Sequence, residues 1–225
     1  MLSDRFKSLR YVFFSLPIVA LIAFSMNYNA VSNSIPTAAV DISTATANGK
    51  QTAIFAGGCF WGVEAVFEHV KGVSDVVSGY SGGDAKTANY DRVSSGQTGH
   101  AESVQITYNP TQISYDQLLK IYFSVAHDPT QVNRQGPDRG SQYRSAIFVT
   151  NDEQRQTAAS YIAQLNQAKA FPKPIATQLG SLESFYAAES EHQDFLARNP
   201  KHPYIVQHDL PKLEQLRKQF PALYQ

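Results

Sequence analysis

The apolar positions of this chain fall into alternating strand-like and helix-like runs that begin near residue 51. Ala53 to Ala56 is a short apolar run that predicts a buried strand, and it stops at Gly57-Gly58. From there the apolar residues recur at Phe60, Val63, Val66, Phe67 and Val70, the period of a helix over Phe60 to Lys71. Val73 to Tyr80 predicts a second strand, ended by Ser81-Gly82-Gly83. In Glu102 to Tyr108, Val104, Ile106 and Tyr108 alternate with Ser103, Gln105 and Thr107, which predicts a strand with one buried face before Asn109-Pro110. Ser114 with Gln117 three residues on has the form of a capping box, opening a helix that carries Leu118, Leu119, Tyr122 and Phe123 and ends at His127-Asp128-Pro129. Tyr143 to Val149 reads as a strand, and Asp152 to about Ala168 as a helix with Ala158, Tyr161, Ile162 and Leu165 on one side. A last strand is expected over Ile175 to Leu179, with helices near Glu189 to Ala197 and after Pro211. A strand–helix–strand start followed by mixed elements argues for an α+β fold of two layers.

The stretch ahead of this pattern differs in kind. Arg5, Lys7 and Arg10 precede an apolar run from Tyr11 to Met26 broken only by Ser15, Pro17 and Ser25. Residues 1–26 therefore read as a signal peptide or an N-terminal membrane anchor, with the tether to the membrane running through residues 5–26. Residues 27–50, rich in Ser, Thr, Ala and Asn without an apolar period, read as a flexible tether. Residues 51–225 form the folded domain. The expected location is outside the cytoplasm: periplasmic, or membrane-anchored and facing an extracytoplasmic space.

Charge narrows the function classes. Lys plus Arg and Asp plus Glu both number 19, so no net field draws the protein to nucleic acid. The single cysteine excludes an internal disulfide and the paired cysteines of a structural zinc site, and His192, His202 and His208 lack metal-ligand spacing on one element. No metal and no cofactor are expected.

That cysteine is Cys59, at the joint between the first strand and the first helix. A helix N-terminus presents free N–H groups and partial positive charge, which favours a thiolate, the nucleophilic form. Glu102 falls in phase with the apolar side of its strand, so burial should raise its pKa and let it hold a proton at neutral pH, the profile of a general acid. It equally fits a structural ion pair with Arg92 or Arg144. The segment from Pro129 to Gln142, with Asn133, Arg134, Gly136, Pro137, Asp138 and Arg139, is a long loop of the sort that carries function. Taken singly, Phe60, Trp61, Tyr90 and Tyr143 read as packing aromatics, Asp138 as a loop cap and His192 as part of a solvated helix face.

Three segments in order, Gly58-Cys59-Phe60-Trp61-Gly62, Gly99-His100-Ala101-Glu102 and Gly140-Ser141-Gln142-Tyr143-Arg144-Ser145, resemble the A-type peptide-methionine sulfoxide reductases. The resemblance runs from about Thr52 to at least Asn199-Pro200. It implies an α+β two-layer sandwich with a ferredoxin-like mixed sheet core and an irregular C-terminal extension. It also implies that Cys59 attacks the sulfoxide sulfur of the S epimer of methionine sulfoxide and becomes a sulfenic acid. On the same resemblance Glu102 protonates the sulfoxide oxygen, and Tyr90 and Tyr143 hydrogen-bond it. Phe60 and Trp61 form the pocket for the substrate methyl, and Asp138 supports from nearby. One departure stands out: many members follow the Asn-Pro segment with a resolving cysteine, whereas here Asn199-Pro200 leads into Lys201-His202-Pro203-Tyr204. The resemblance then implies regeneration by an external thiol, from a thioredoxin-like protein or a small thiol, by a monomeric enzyme. Two other classes remain open on the residues: a cysteine hydrolase using His100 as base, and a binding module with an inert cysteine.

Overall fold

The structure is a computed structural model that describes residues 49–225. The predicted signal or anchor over 1–26, and the predicted tether up to residue 48, lie outside the described residues. Among the described residues there are eight strands: β1 Gln51–Gly57, β2 Val73–Ser81, β3 Ala101–Tyr108, β4 Arg134–Gln135, β5 Asp138–Arg139, β6 Ser145–Val149, β7 Gln178–Ser181 and β8 Phe185–Ala187. Six of them form one sheet in the order β7-β6-β1-β3-β2-β8, and β4 with β5 makes a small separate ribbon. The α-helices are α1 Phe60–Glu68, α2 Tyr90–Val93, α3 Tyr115–Ile121, α4 Asp152–Gln167, α5 Phe195–Arg198 and α6 Leu210–Gln219.

The topology explains why β1 lies at the centre. The first two crossovers, β1–α1–β2 and β3–α3–β6, each return the chain to the same sheet with a gap of one strand, which a third strand fills. Thus β3 lies between β1 and β2, and β1 lies between β3 and β6, every contact antiparallel. This interleaved pair of strand–helix–strand units is the ferredoxin-like core. β7 adds in parallel beside β6 after the α4 crossover, and β8 adds antiparallel beside β2.

Strand alternation sorts the two faces of the sheet. Ala53 and Phe55 of β1, Val104 and Ile106 of β3, and Ile147 and Val149 of β6 point to the helical layer, where they meet Phe67, Leu118, Tyr122, Tyr161 and Leu216. Phe55 lies 5.6 Å from Phe67 and 4.8 Å from Tyr122, ring centre to ring centre. The opposite face buries a smaller set, Ile54, Ala56, Ala101, Ala146 and Phe148. The capping box at Ser114 and Gln117 forms with both reciprocal hydrogen bonds.

Four expected elements differ. The strand expected from Tyr143 starts at Ser145, because Ser141–Tyr143 forms a tight helical turn after Gly140, whose φ is 135°. The last strand lies at Gln178–Ser181 rather than Ile175–Leu179: the Ala176 N–H is taken by the Pro129 carbonyl, so pairing to β6 begins only at Gln178. It is not the last, since β8 follows. The helix expected near Glu189 to Ala197 is divided by Asp194, which takes a left-handed conformation (φ 48°) between the turn Ser190–His192 and α5. The loop from Pro129 to Gln142 contains the β4–β5 ribbon, paired at Gln135 and Asp138.

A buried polar network supports the end of β1. His127 donates from Nδ1 to the Tyr122 carbonyl at 3.0 Å, which leaves Nε2 to accept from the Ser145 hydroxyl at 2.7 Å. Tyr122 donates its hydroxyl to the Ala56 carbonyl at 2.7 Å, one residue before the glycine pair. Burial pulls the His127 pKa down to about 4, so the ring is neutral in this network at pH 7. Between that value and the ordinary 6.5 the unfolded chain binds the extra proton, so this contribution to stability is complete above about pH 6.5 and lost as pH falls towards 4. The expected effect on unfolding free energy is about 3 kcal/mol. Urea titrations at pH 7 and pH 4 should show a smaller loss on acidification in His127→Gln than in the parent, although the variant is less stable at pH 7.

Candidate active site

Cys59 is the N-cap residue of α1, where its side chain makes no capping hydrogen bond, and it is 8% exposed. The turn that presents it is closely walled. A β-carbon at Gly57 would press on the His127 ring, and one at Gly58, whose φ is 91°, would strike the Gln135 side chain. Two glycines are therefore required to pass between the polar network below and the β4–β5 ribbon above.

Glu102 supplies the cap that Cys59 does not. Its Oε2 accepts the Phe60 N–H at 3.0 Å, so the carboxyl group of a central strand sits on the first turn of α1, one residue from the sulfur. Glu102 is 2% exposed, and burial raises its pKa to about 8 despite the Phe60 N–H, with the Asp138 carboxylate pushing the same way. Neither of the two candidate arginines offsets this. Arg144 is engaged by the carbonyls of Gly99, His100 and Ser141, and Arg92 by that of Lys86. Glu102 thus holds a proton at neutral pH, as its strand phase predicted.

The expectation for Cys59 is reversed. Burial, then the carboxylates of Glu102 and Asp209, push its thiol well above the ordinary range; the Trp61 N–H and Lys212 act in the opposite sense. A helix N-terminus contributes only about 0.3–1 kcal/mol, less than the desolvation of a buried anion. The resting group is the thiol.

Around this pair the aromatic residues converge from separate segments. Tyr90 opens α2, whose N-cap Asn89 accepts the Arg92 N–H, and its own N–H donates to Glu189 Oε1 at 3.0 Å. Tyr143 ends the turn after Gly140. Burial foremost, then Glu102, raises the pKa of both tyrosines, and each also senses Cys59 and Asp138, so both are O–H donors at working pH. Asp138 accepts the Tyr204 hydroxyl, which ties the β4–β5 ribbon to the C-terminal segment. Trp61 stacks on Phe195 at 3.7 Å with 8° between ring planes, and Tyr204 stands edge-on to it at 5.9 Å. Phe60 is only 1% exposed and closes the back of the cluster against Tyr80 and His192. All seven candidate residues therefore belong to one region.

His192 is a correction to the expected solvated face. It is 9% exposed, stacked on Tyr90 at 4.1 Å, and its Nδ1 accepts the Trp61 indole N–H at 3.2 Å. Glu189, which also accepts the Tyr80 hydroxyl at 2.9 Å, and Tyr204 were likewise not singled out from the sequence. Glu189 falls in the expected helix that Asp194 divides, and Tyr204 in a stretch where no strand or helix was expected, so periodicity carried no signal for either contact.

With this geometry in place the comparisons are decisive. The family model described as peptide methionine sulfoxide reductase matches residues 51–223. The chain belongs to this family. A Synechocystis protein named peptide methionine sulfoxide reductase MsrA 2 is 56% identical over 204 residues, covering 90% of this chain and 95% of the relative. A Mesorhizobium japonicum protein of the same name is 61% identical over 178 residues, covering 79% and 91%. Among solved structures, reduced Mxr1 from Saccharomyces cerevisiae has a TM-score of 0.64 at 35% identity over 68% of this chain and 87% of that one. Methionine sulfoxide reductase A of Corynebacterium diphtheriae has a TM-score of 0.60 at 33% identity over 76% and 85%. Both share the α+β fold.

The coupling between the two central groups is directly testable. Glu102→Gln removes a carboxylate that raises the Cys59 pKa, so the midpoint of iodoacetamide alkylation against pH should move down. An unchanged midpoint would show that the two groups do not sense each other.

Proposed function

We propose that this chain reduces the S epimer of methionine sulfoxide, free or within proteins, with Cys59 as nucleophile and Glu102 as acid, and so repairs oxidised proteins. The observation that carries this reading is the 2% exposed Glu102 carboxyl held on the Phe60 N–H, beside the only cysteine. A neutral sulfoxide sulfur is a poor electrophile until its oxygen is protonated or strongly hydrogen-bonded. Glu102 supplies the proton, and the hydroxyls of Tyr90 and Tyr143 donate to the same oxygen. Trp61 and its stacked partners offer an apolar wall for the S-methyl group, with Phe60 behind. As the sulfur of Cys59 bonds to the substrate sulfur, the thiol proton and the Glu102 proton go to the sulfoxide oxygen, the S–O bond breaks and the oxygen leaves as water. Water then attacks the Cys59 sulfur and returns a proton to Glu102 while the S–S bond breaks; methionine leaves reduced by two electrons, and Cys59 is oxidised by two electrons to the sulfenic acid.

No second cysteine in the sequence is available to take that oxygen away. Regeneration then falls to an external thiol, which attacks the sulfenic acid to give a mixed disulfide and water, and a second thiol releases Cys59. A thioredoxin-like protein and a low-molecular-weight thiol both satisfy this chemistry. The basic and apolar N-terminal segment supports an exported or membrane-tethered enzyme, where the donor would also be extracytoplasmic. The hydrolase alternative lacks its base: His100 Nε2 faces the Asp84 carbonyl at 3.0 Å, so the ring is oriented by backbone rather than by a carboxylate.

Separated S and R epimers of N-acetylmethionine sulfoxide, incubated with the protein and dithiothreitol, test the reaction. Reduction of the S form alone, abolished in Cys59→Ser, is expected; reduction of neither form would refute the reading. The acid has its own signature. Because the Glu102 pKa is raised to about 8, its proton is present below that pH and lost above it, so the single-turnover rate should fall as pH rises through about 8. Glu102→Gln should be about 100-fold slower at pH 7 and should lack that alkaline limb.

A further inference from the structure

Gly62 is the last residue of the cysteine motif, and the reason lies in the C-terminal segment. A β-carbon at this position would overlap Asp209 Oδ1 and crowd Lys212 Nζ. The missing side chain opens a gap on the first turn of α1, three residues from Cys59, and the start of α6 fills it with two opposite charges. Lys212 Nζ lies 3.0 Å from Asp209 Oδ1. Asp209 is 1% exposed and its second oxygen, Oδ2, is buried without a hydrogen-bond partner. Pro211 at the first turn of α6 fixes the approach, and α6 itself is anchored by Leu216, which is fully buried in the core.

A buried carboxylate with one unpartnered oxygen is a poor stabilising device, since an apolar pair of similar volume would serve packing at least as well. Its position, against the helix that carries the nucleophile, suggests a different use. We propose that Asp209 and Lys212 are positioning residues that set the charge balance at Cys59: Lys212 is the cation that an anionic Cys59 sulfur faces, and Asp209 both seats that cation and offsets it. This rests on Cys59 being the reductase nucleophile.

The other charged and titratable groups around the sulfur leave this role to Lys212. Glu102 from β3 and Asp209 oppose a negative sulfur, whereas Lys212 is the side chain that favours one. Tyr90, Tyr143 and Tyr204 sense Cys59 but are held protonated, chiefly by burial. Asp138 bears on Glu102, and His127, below the glycine turn, is held neutral by burial with Lys212 acting in the same sense. His208 faces Asp209 from the adjoining turn. A thiol that must shed its proton when substrate arrives therefore has one lysine to stabilise the anion, and that lysine is placed by the C-terminal helix.

The test is the pH profile of Cys59 alkylation by iodoacetamide in the full chain, read by mass spectrometry, with folding checked by near-ultraviolet circular dichroism. It needs no sulfoxide, so a failure of the reductase reading would leave its result intact. Lys212→Met leaves the Asp209 charge uncompensated and should move the midpoint up, slowing alkylation at pH 7.5 by about tenfold for each unit of displacement. Asp209→Asn keeps the shape, unmasks Lys212 and should move the midpoint down. Lys212→Arg should retain the parental profile, and the double variant Asp209→Asn with Lys212→Met, which removes both charges, should return close to it. Opposite displacements in the two single variants support the proposal. Displacements of the same sign, no displacement in folded Asp209→Asn or Lys212→Met, or a displaced midpoint in Lys212→Arg would overturn it.

Discussion

The hydrogen bond from the Phe60 N–H to the Glu102 carboxyl joins the sheet to the helix at the point where chemistry is proposed to occur. It caps α1, because Cys59 makes no cap of its own, and it fixes the distance between the acid and the sulfur. Its energetic sense is unusual. A carboxylate at a helix N-terminus is ordinarily stabilised as the anion, yet here burial dominates and the pKa rises to about 8. The acid is kept protonated by the same sheet packing that makes β3 a central strand. The packing of the strand and the protonation of its carboxyl group are set by one burial.

That junction also dictates the sulfur's resting state. A thiol next to a carboxyl group in a dry site stays protonated, which guards a lone cysteine against indiscriminate oxidation, since oxidation follows thiolate character. Glu102 and the two tyrosines share a shell in which burial, and then Glu102, raises the pKa of both tyrosines, so the site holds protons and donors ready for an oxygen acceptor. Its walls come from five separate stretches: the glycine turn, α2, the β4–β5 ribbon with the turn after it, the His192 turn and the Tyr204 segment. The hydrogen bonds from Tyr204 to Asp138 and from Trp61 to His192 hold these together across long sequence separations.

Much of this was legible in the chain itself. The alternation through Val104, Ile106 and Tyr108 placed Glu102 on the buried face, and burial alone was enough to predict its proton. The glycine pair and the apolar stripe after it located Cys59 at a helix start. The α+β class followed from the order of elements. The ionisation of Cys59 was not legible: local sequence shows the helix terminus but not the degree of burial or the carboxylates of Glu102 and Asp209, which arrive from residues 43 and 150 positions away. His192 was misplaced for a related reason, since a left-handed Asp194 divides the expected helix and the imidazole is held by Trp61 and Tyr90, 131 and 102 positions away.

The sequence by itself determined the periodic elements, the buried carboxyl group and the solitary cysteine, because each rests on patterns within a dozen neighbouring residues. The tertiary structure alone decided which charges surround that cysteine and which side chains share its shell. Those depend on how β3, the β4–β5 ribbon and α6 close over α1, and electrostatics in a buried site is a sum over whatever the fold brings near. Gly62 marks the boundary between the two: its identity is plain in the motif, but the ion pair that occupies its missing side chain is set by a helix nearly 150 residues further on.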